Sequence, residues 1–225
     1  MADWVWIYSV VLFAGSIAMA VAVLLYARMR VRRNRVRRAL ERCYLSILNR
    51  RLLEGGEQPC VFPLIERRHS RLILATVVAR LGAVTYGYDR KFMAEIVRRY
   101  ALDRLLMRQA LFSFGMRRVQ WLHTFAMIDS TEAIYRRTVL RFGRSRNRYM
   151  ALCMTLAALN HNPERSIAIL AERRLPLSAF DLSEVLMMLK RGLIPVAYQP
   201  LLHSEYRNVQ MLGLCIVRYF GVTEA

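Results

Sequence analysis

From Trp4 to Ala27 the chain reads WVWIYSVVLFAGSIAMAVAVLLYA, with no charged residue and no proline. About 20 apolar residues rising ~1.5 Å each cross the hydrocarbon core of a bilayer, so this run spans one with room for tilt. Trp4, Trp6 and Tyr8 at one end and Tyr26 at the other suit the two interfacial belts. A cleaved signal peptide carries its cations ahead of a shorter apolar core. Here only Asp3 precedes the core and the cations follow it, which predicts a retained anchor over residues 1–29. Arg28, Arg30, Arg32, Arg33, Arg35, Arg37 and Arg38 crowd the C-terminal flank. The positive-inside rule then places the N-terminus outside a cell (inner) membrane and the remainder in the cytoplasm. The seven arginines are expected to lie against anionic lipid head groups.

Composition narrows the rest. The 225 residues hold 35 Lys+Arg against 16 Asp+Glu, a formal charge of +19, and only Lys91 and Lys190 are lysines. Yet 56% of the residues are hydrophobic and the mean hydropathy is positive, +0.21. That excludes a disordered basic tail, which needs low hydrophobicity beside its charge. Ten glycines and six prolines are too few for a loop-rich β protein. Cys43, Cys60, Cys153 and Cys215 form no C-x-x-C pair, and three of them lie in apolar helical runs, so buried reduced thiols are expected.

Helix signals fill the remainder. Val36, Leu40, Cys43, Tyr44, Ile47, Leu48 and Leu52 recur at three- and four-residue spacing, predicting a basic juxtamembrane helix over residues 30–54. The cluster Glu54-Gly55-Gly56-Glu57-Gln58-Pro59 stops it, and a second joint falls at Gly82 to Asp89. Beyond it, Asp103 precedes the helical run LLMRQALFSF, and Gly115 follows it. Ser130 caps a helix ending at Gly143, and Asn162-Pro163 opens ERSIAILAERR. Ser178 opens a helix closed by Gly192, Pro195 opens VAYQPLLH, and a last helix runs from about Glu205 to Phe220. No stretch alternates with period two, so residues 61–225 are predicted to be an all-α body. Leu122, Leu152, Leu156, Leu186, Leu212 and Val217 are its expected inward-facing residues.

The helices also recur. Val119-Gln120-Trp121-Leu122 and Val209-Gln210-Met211-Leu212 match ninety positions apart, and apolar faces begin at Tyr149 and Ala179 between them. A period of about thirty residues built of paired helices is the mark of an α-solenoid. The stretch PVAYQPLLHSEYRNVQMLGLCIVRYFG resembles a HEAT repeat, and AIYRRTVLRFGRSRNRYMALCMTLAAL is similar to it in its helix, turn and helix. The resemblance covers roughly Asp103 to Gly221 and reaches back toward Pro63. It departs from the pattern at the turns, where the usual aspartate is replaced by His203-Ser204-Glu205 and Gly143-Arg144-Ser145. Such families imply a scaffold that binds proteins and has no chemistry of its own.

Motifs for chemistry are sparse. His69, His123, His161 and His203 show no H-x-x-x-H spacing, and no metal is expected. His123 is expected to pack within a helix, and His161 to sit in a capped turn. No phosphate loop, dinucleotide turn or nucleophile elbow occurs. Most acids neighbour arginines, as in Asp103-Arg104, and are read as surface charges at helix ends. Neither a cofactor nor catalysis is therefore expected.

The arginines are the abundant signal. Beyond residue 38 the chain keeps 28 cations against 15 anions, a surplus of +13. A solvated surface near the anionic leaflet and a groove for an acidic partner protein account for it equally well. Nucleic acid is the third reading, without a fingerprint to raise it. Arg141, Arg144, Arg146 and Arg148 straddle a turn and form the candidate partner-binding patch. The expectation is a single-pass anchored scaffold that recruits an acidic partner, a membrane enzyme among the candidates. The alternative is a membrane-tethered arginine-rich nucleic-acid binder.

Overall fold

The computed structural model describes residues 2–54, 60–82, 88–143, 145, 147–162, 165–171, 177–191 and 198–220. The chain divides into two compact units, Met1–Phe62 and Pro63–Ala225. Every regular element among the described residues is helical.

The first unit is dominated by α1, Ala2–Glu54, a single helix of 53 residues. The apolar run and the juxtamembrane pattern are thus one uninterrupted rod, because nothing between Ala27 and Leu40 breaks a helix. Its apolar window has a mean hydropathy of 2.4, and none of that window is buried. The helix is long and apolar enough to cross a membrane. Ser16 returns its hydroxyl to the Leu12 carbonyl at 2.9 Å, so this polar group asks nothing of its surroundings. Past the arginines the helix acquires buried positions at Tyr44 and Leu48. Phe62 meets Tyr44 edge-on, with ring centroids 5.4 Å apart and planes at 82°.

Among its described residues the second unit holds ten further helices. They are α2 (Arg68–Gly82), α3 (Tyr88–Arg99), α4 (Leu102–Phe112), α5 (Gly115–Ala126) and α6 (Glu132–Phe142). α7 (Arg148–His161), α8 (Ser166–Ala171), α9 (Ala179–Arg191), α10 (Tyr198–Leu202) and α11 (Arg207–Phe220) follow. α2 packs against α3, α4 and α5. From there α5 packs on α7, α7 on α9 and α9 on α11, while α4/α5, α6/α7 and α10/α11 form consecutive pairs. α7 is the most enclosed: residues 151–157 are buried without a break. Thr155 survives there because its hydroxyl donates to the Ala151 carbonyl at 3.0 Å.

Leu122, Leu152, Leu156, Leu186 and Leu212 are buried as the periodicity predicts, whereas Val217 is only half-buried near the end of α11. Gly213 sits where α10 and α11 touch. A Cβ there would stand 3.1 Å from Leu201 Cβ and 3.1 Å from Leu202 Cδ2, tighter than ordinary packing allows.

Three helix starts differ from expectation. α4 begins at Leu102 behind Ala101, so Asp103 lies inside the first turn. α6 is preceded by Thr131 rather than Ser130. Ser178 does open α9, and it does so reciprocally. Its hydroxyl accepts the Asp181 N–H at 3.2 Å while Asp181 Oδ2 accepts the Ser178 N–H at 2.8 Å, a capping box. α11 starts at Arg207, two residues later than expected. Pro163, Gly192, Pro195 and Gly221 lie outside the described residues.

Candidate functional site

All seven arginines of the α1 flank are exposed. At about 100° per residue, positions 28, 30, 32, 33, 35, 37 and 38 point all round the axis rather than along one face. They form a collar. Arg37 also pairs with Glu41 one turn on, Nε to Oε1 at 2.8 Å.

The second arginine group is less uniform. Arg141 is exposed in the last turn of α6, while Arg144 and Arg146 lie outside the described residues. Arg148 opens α7 and donates to Asp181 Oδ2 at 2.7 Å. Burial works to raise the Asp181 carboxyl, but Arg148 and Ser178 outweigh it and hold the group below the usual carboxylate range. Arg148 therefore serves the fold as well as the surface.

Asp103 corrects a broader expectation. Only 3% of it is exposed, so it is no surface charge at a helix end. Its Oδ2 accepts both the Thr131 N–H, at 3.1 Å, and the Thr131 hydroxyl, at 2.8 Å. The adjacent loop is pinned twice more. Arg90 grips both oxygens of Asp129 through Nε and Nη2, at 2.7 to 3.1 Å, and Nη2 also donates to the Asn160 carbonyl at 2.6 Å. Asn160 in turn donates to the Ile128 carbonyl at 3.0 Å. This bidentate fork raises the pKa of Arg90 further, so it stays charged at any working pH.

These ties share a spacing. Asp103 to Thr131 spans 28 residues, His161 to Glu132 spans 29, and Asn208 to Leu177 spans 31. Asn160 to Ile128 spans 32 and Arg148 to Asp181 spans 33. Each joins a helix or its cap to a residue about thirty positions away, while the Arg90 ties to Asp129 and Asn160 span 39 and 70. None of these five has a local signal in sequence, because partners this distant are brought together only by packing.

His161 closes α7 against α6. It contacts the Glu132 carboxylate and stacks on Tyr135, with centroids 4.0 Å apart and planes at 19°. His161 and then Arg136 hold the Glu132 carboxyl below its ordinary range. Burial and the Glu132 charge push the Tyr135 phenol up. His123 on α5 stands 3.6 Å from Glu184 Oε2 on α9, an ion-pair distance rather than a hydrogen bond. The four cysteines are free thiols, with Cys153 buried. Among the described residues no three His, Cys, Asp or Glu side chains converge to hold a metal ion.

Compared with protein-family models, curated proteins and solved structures, the chain matches none.

Proposed function

We propose that this chain is a single-pass, membrane-anchored helical-repeat scaffold that holds an acidic partner protein at the cytoplasmic face. The observation that carries the reading is α1. One helix continues from an unburied apolar window directly into a collar of seven arginines, which is the arrangement of a stop-transfer anchor. The orientation follows from that asymmetry, with the second unit on the arginine side.

The repeat part of the reading rests on two features. α5, α7, α9 and α11 stack in succession, as alternate helices do in a solenoid. Several polar ties between helices fall at separations of 28 to 33 residues, as a period of about thirty would produce. A HEAT-like repeat with altered turns accounts for both. The partner is acidic because the body keeps a +13 surplus, and arginine pairs bidentately with carboxylates.

Two experiments test the proposal. A reporter active only outside the cytoplasm, fused at the C-terminus, stays silent; activity overturns the orientation. Capture of a partner from detergent extract persists after nuclease treatment and is lost when Arg141, Arg144 and Arg146 become glutamate. Capture abolished by nuclease replaces the acidic protein with nucleic acid.

A further inference from the structure

We infer that the second unit carries its own contact with anionic phospholipid: an aromatic tip between α4 and α5 that enters the acyl boundary, beside a cationic cleft that takes a lipid phosphate. This rests on the membrane reading of α1, which keeps the second unit tethered to a bilayer.

Three large apolar side chains stand in water within five residues. Phe112 is 72% exposed, Phe114 80% and Met116 62%. Grouped exposed apolar side chains mark a surface that something covers. The turn is rigidly built. Ser113 and Phe114 are extended, and Gly115 turns the chain at φ +55°, a conformation that favours glycine. Arg118 locks it from below, its Nε donating to the carbonyls of Ala110 at 3.1 Å and Ser113 at 2.8 Å. The same guanidinium lies 5.4 Å from the centre of the Phe114 ring. The tip is presented, not frayed.

The cleft lies beside it. Arg68, His69 and Leu72 of α2 face Arg108, Gln109 and Phe112 of α4 across an open space of about 710 Å³. Two guanidiniums, an imidazole and an amide supply donors, and no carboxylate is among the lining residues. Planar guanidinium forks match phosphate oxygens two at a time. Phe112 belongs to both cleft and tip, so apolar and cationic surfaces are continuous. Aromatic side chains at the boundary with arginines just outside it form the combination that interfacial segments use. An apolar protein groove would leave the arginines without counter-charge and an acidic protein surface would leave the exposed Phe112, Phe114 and Met116 uncovered, whereas an anionic bilayer meets both.

The test uses the full chain reconstituted into vesicles of phosphatidylcholine, with or without phosphatidylglycerol. The photo-crosslinker p-benzoylphenylalanine replaces, one at a time, Phe114, Leu24 in the apolar run of α1, or Phe180, an exposed aromatic on α9. The probe at 114 yields lipid adducts that rise several-fold with phosphatidylglycerol, and the probe at 180 yields far fewer. Combining the probe at 114 with Arg68→Gln and Arg108→Gln abolishes the phosphatidylglycerol dependence, while adducts at 24 are unchanged. Adducts at 24 without adducts at 114 overturn the tip and leave the anchor standing. No adducts at either position overturn both. A protein adduct at 114, or a double variant that labels like the parent, overturns the lipid assignment of the cleft.

Discussion

Arg148, the first residue of α7, reaches Asp181 in the first turn of α9 with an Nη2–Oδ2 distance of 2.7 Å. One arginine thereby joins two helices that are neighbours in space though α8 separates them in the chain. Asp181 is 5% exposed, so this carboxylate has left water and depends on its partners. Those partners are the Arg148 guanidinium and the N–H of Ser178, the residue that caps its own helix.

Asp181→Asn is therefore expected to destabilise the second unit by about 1–3 kcal/mol, since it weakens a helix cap and a charge-assisted hydrogen bond together. The pH dependence has a defined sign. A carboxyl held below its unfolded pKa contributes stability above that pKa, and loses it as the pH falls through the folded value. The parent should lose thermal stability on acidification below about pH 4, and the variant should show a shallower loss. Circular-dichroism melts in detergent across that range measure both, and parallel curves would contradict the assignment.

Cys153 makes the opposite case. Its thiol donates to the Val119 carbonyl at 3.7 Å, and burial pushes it up to about 12, with the Glu184 charge adding to the effect. A pKa raised in the folded state gives stability that is whole below the unfolded thiol's range and is lost as the pH climbs toward the folded value. Cys153→Ala should flatten the alkaline decline between roughly pH 9 and 12, by up to about 1.4 kcal/mol per pH unit. Iodoacetamide at neutral pH should leave Cys153 unmodified in the folded chain and modify it in denaturant, as peptide mass mapping would register.

Local pattern reveals some of this molecule and misses the rest. The continuous α1, the inward positions Leu122, Leu156 and Leu212, and the Ser178 cap all follow from period, charge and capping chemistry read over a few residues. Asp103 does not. Beside Arg104 it has the pattern of a surface charge, and only the Thr131 loop arriving 28 residues later makes it a buried acceptor. Ala101 ahead of it adopts φ +48°, a left-handed turn that no propensity assigns to alanine. The Arg148–Asp181 pair was hidden in the same way, because run-of-sequence reading counts arginines without knowing which are already paired. The cleft between α2 and α4 needs two helices about forty positions apart, and nothing in either stretch announces the other.

The succession of α5, α7, α9 and α11 has a mechanical consequence. Leu156 is fully buried on α7, the helix between α5 and α9. Leu156→Ala should cost about 2–5 kcal/mol, the usual range for a leucine truncated in a packed core. In a row stabilised by neighbour contacts, that loss should fall unevenly. Hydrogen exchange should quicken through α5, α7 and α9 while α2 and α3 keep most of their protection. Uniform quickening would mean that the second unit unfolds as one body and is not a repeat array.

The arginines of the α6–α7 region can be separated by what each one touches. Arg141 is exposed in the last turn of α6 and its charge is uncommitted to any buried acid, whereas Arg148 is bound to Asp181. Reversing Arg148 to glutamate sets two carboxylates against each other at the start of α9. It should lower the melting temperature by several degrees, given a loss of about 1–3 kcal/mol. Reversing Arg141 should leave the melt within about a degree of the parent, since an exposed charge contributes little to stability; the triple variant adds Arg144 and Arg146. If the patch holds an acidic partner, the triple variant captures less of it while folding normally, and loses most of the salt dependence of capture. Arg148→Glu then weakens capture only to the extent that it weakens the fold, which Arg148→Gln and Asp181→Asn should reproduce. A triple variant that binds as the parent does would move the contact away from this turn, to another face of the second unit.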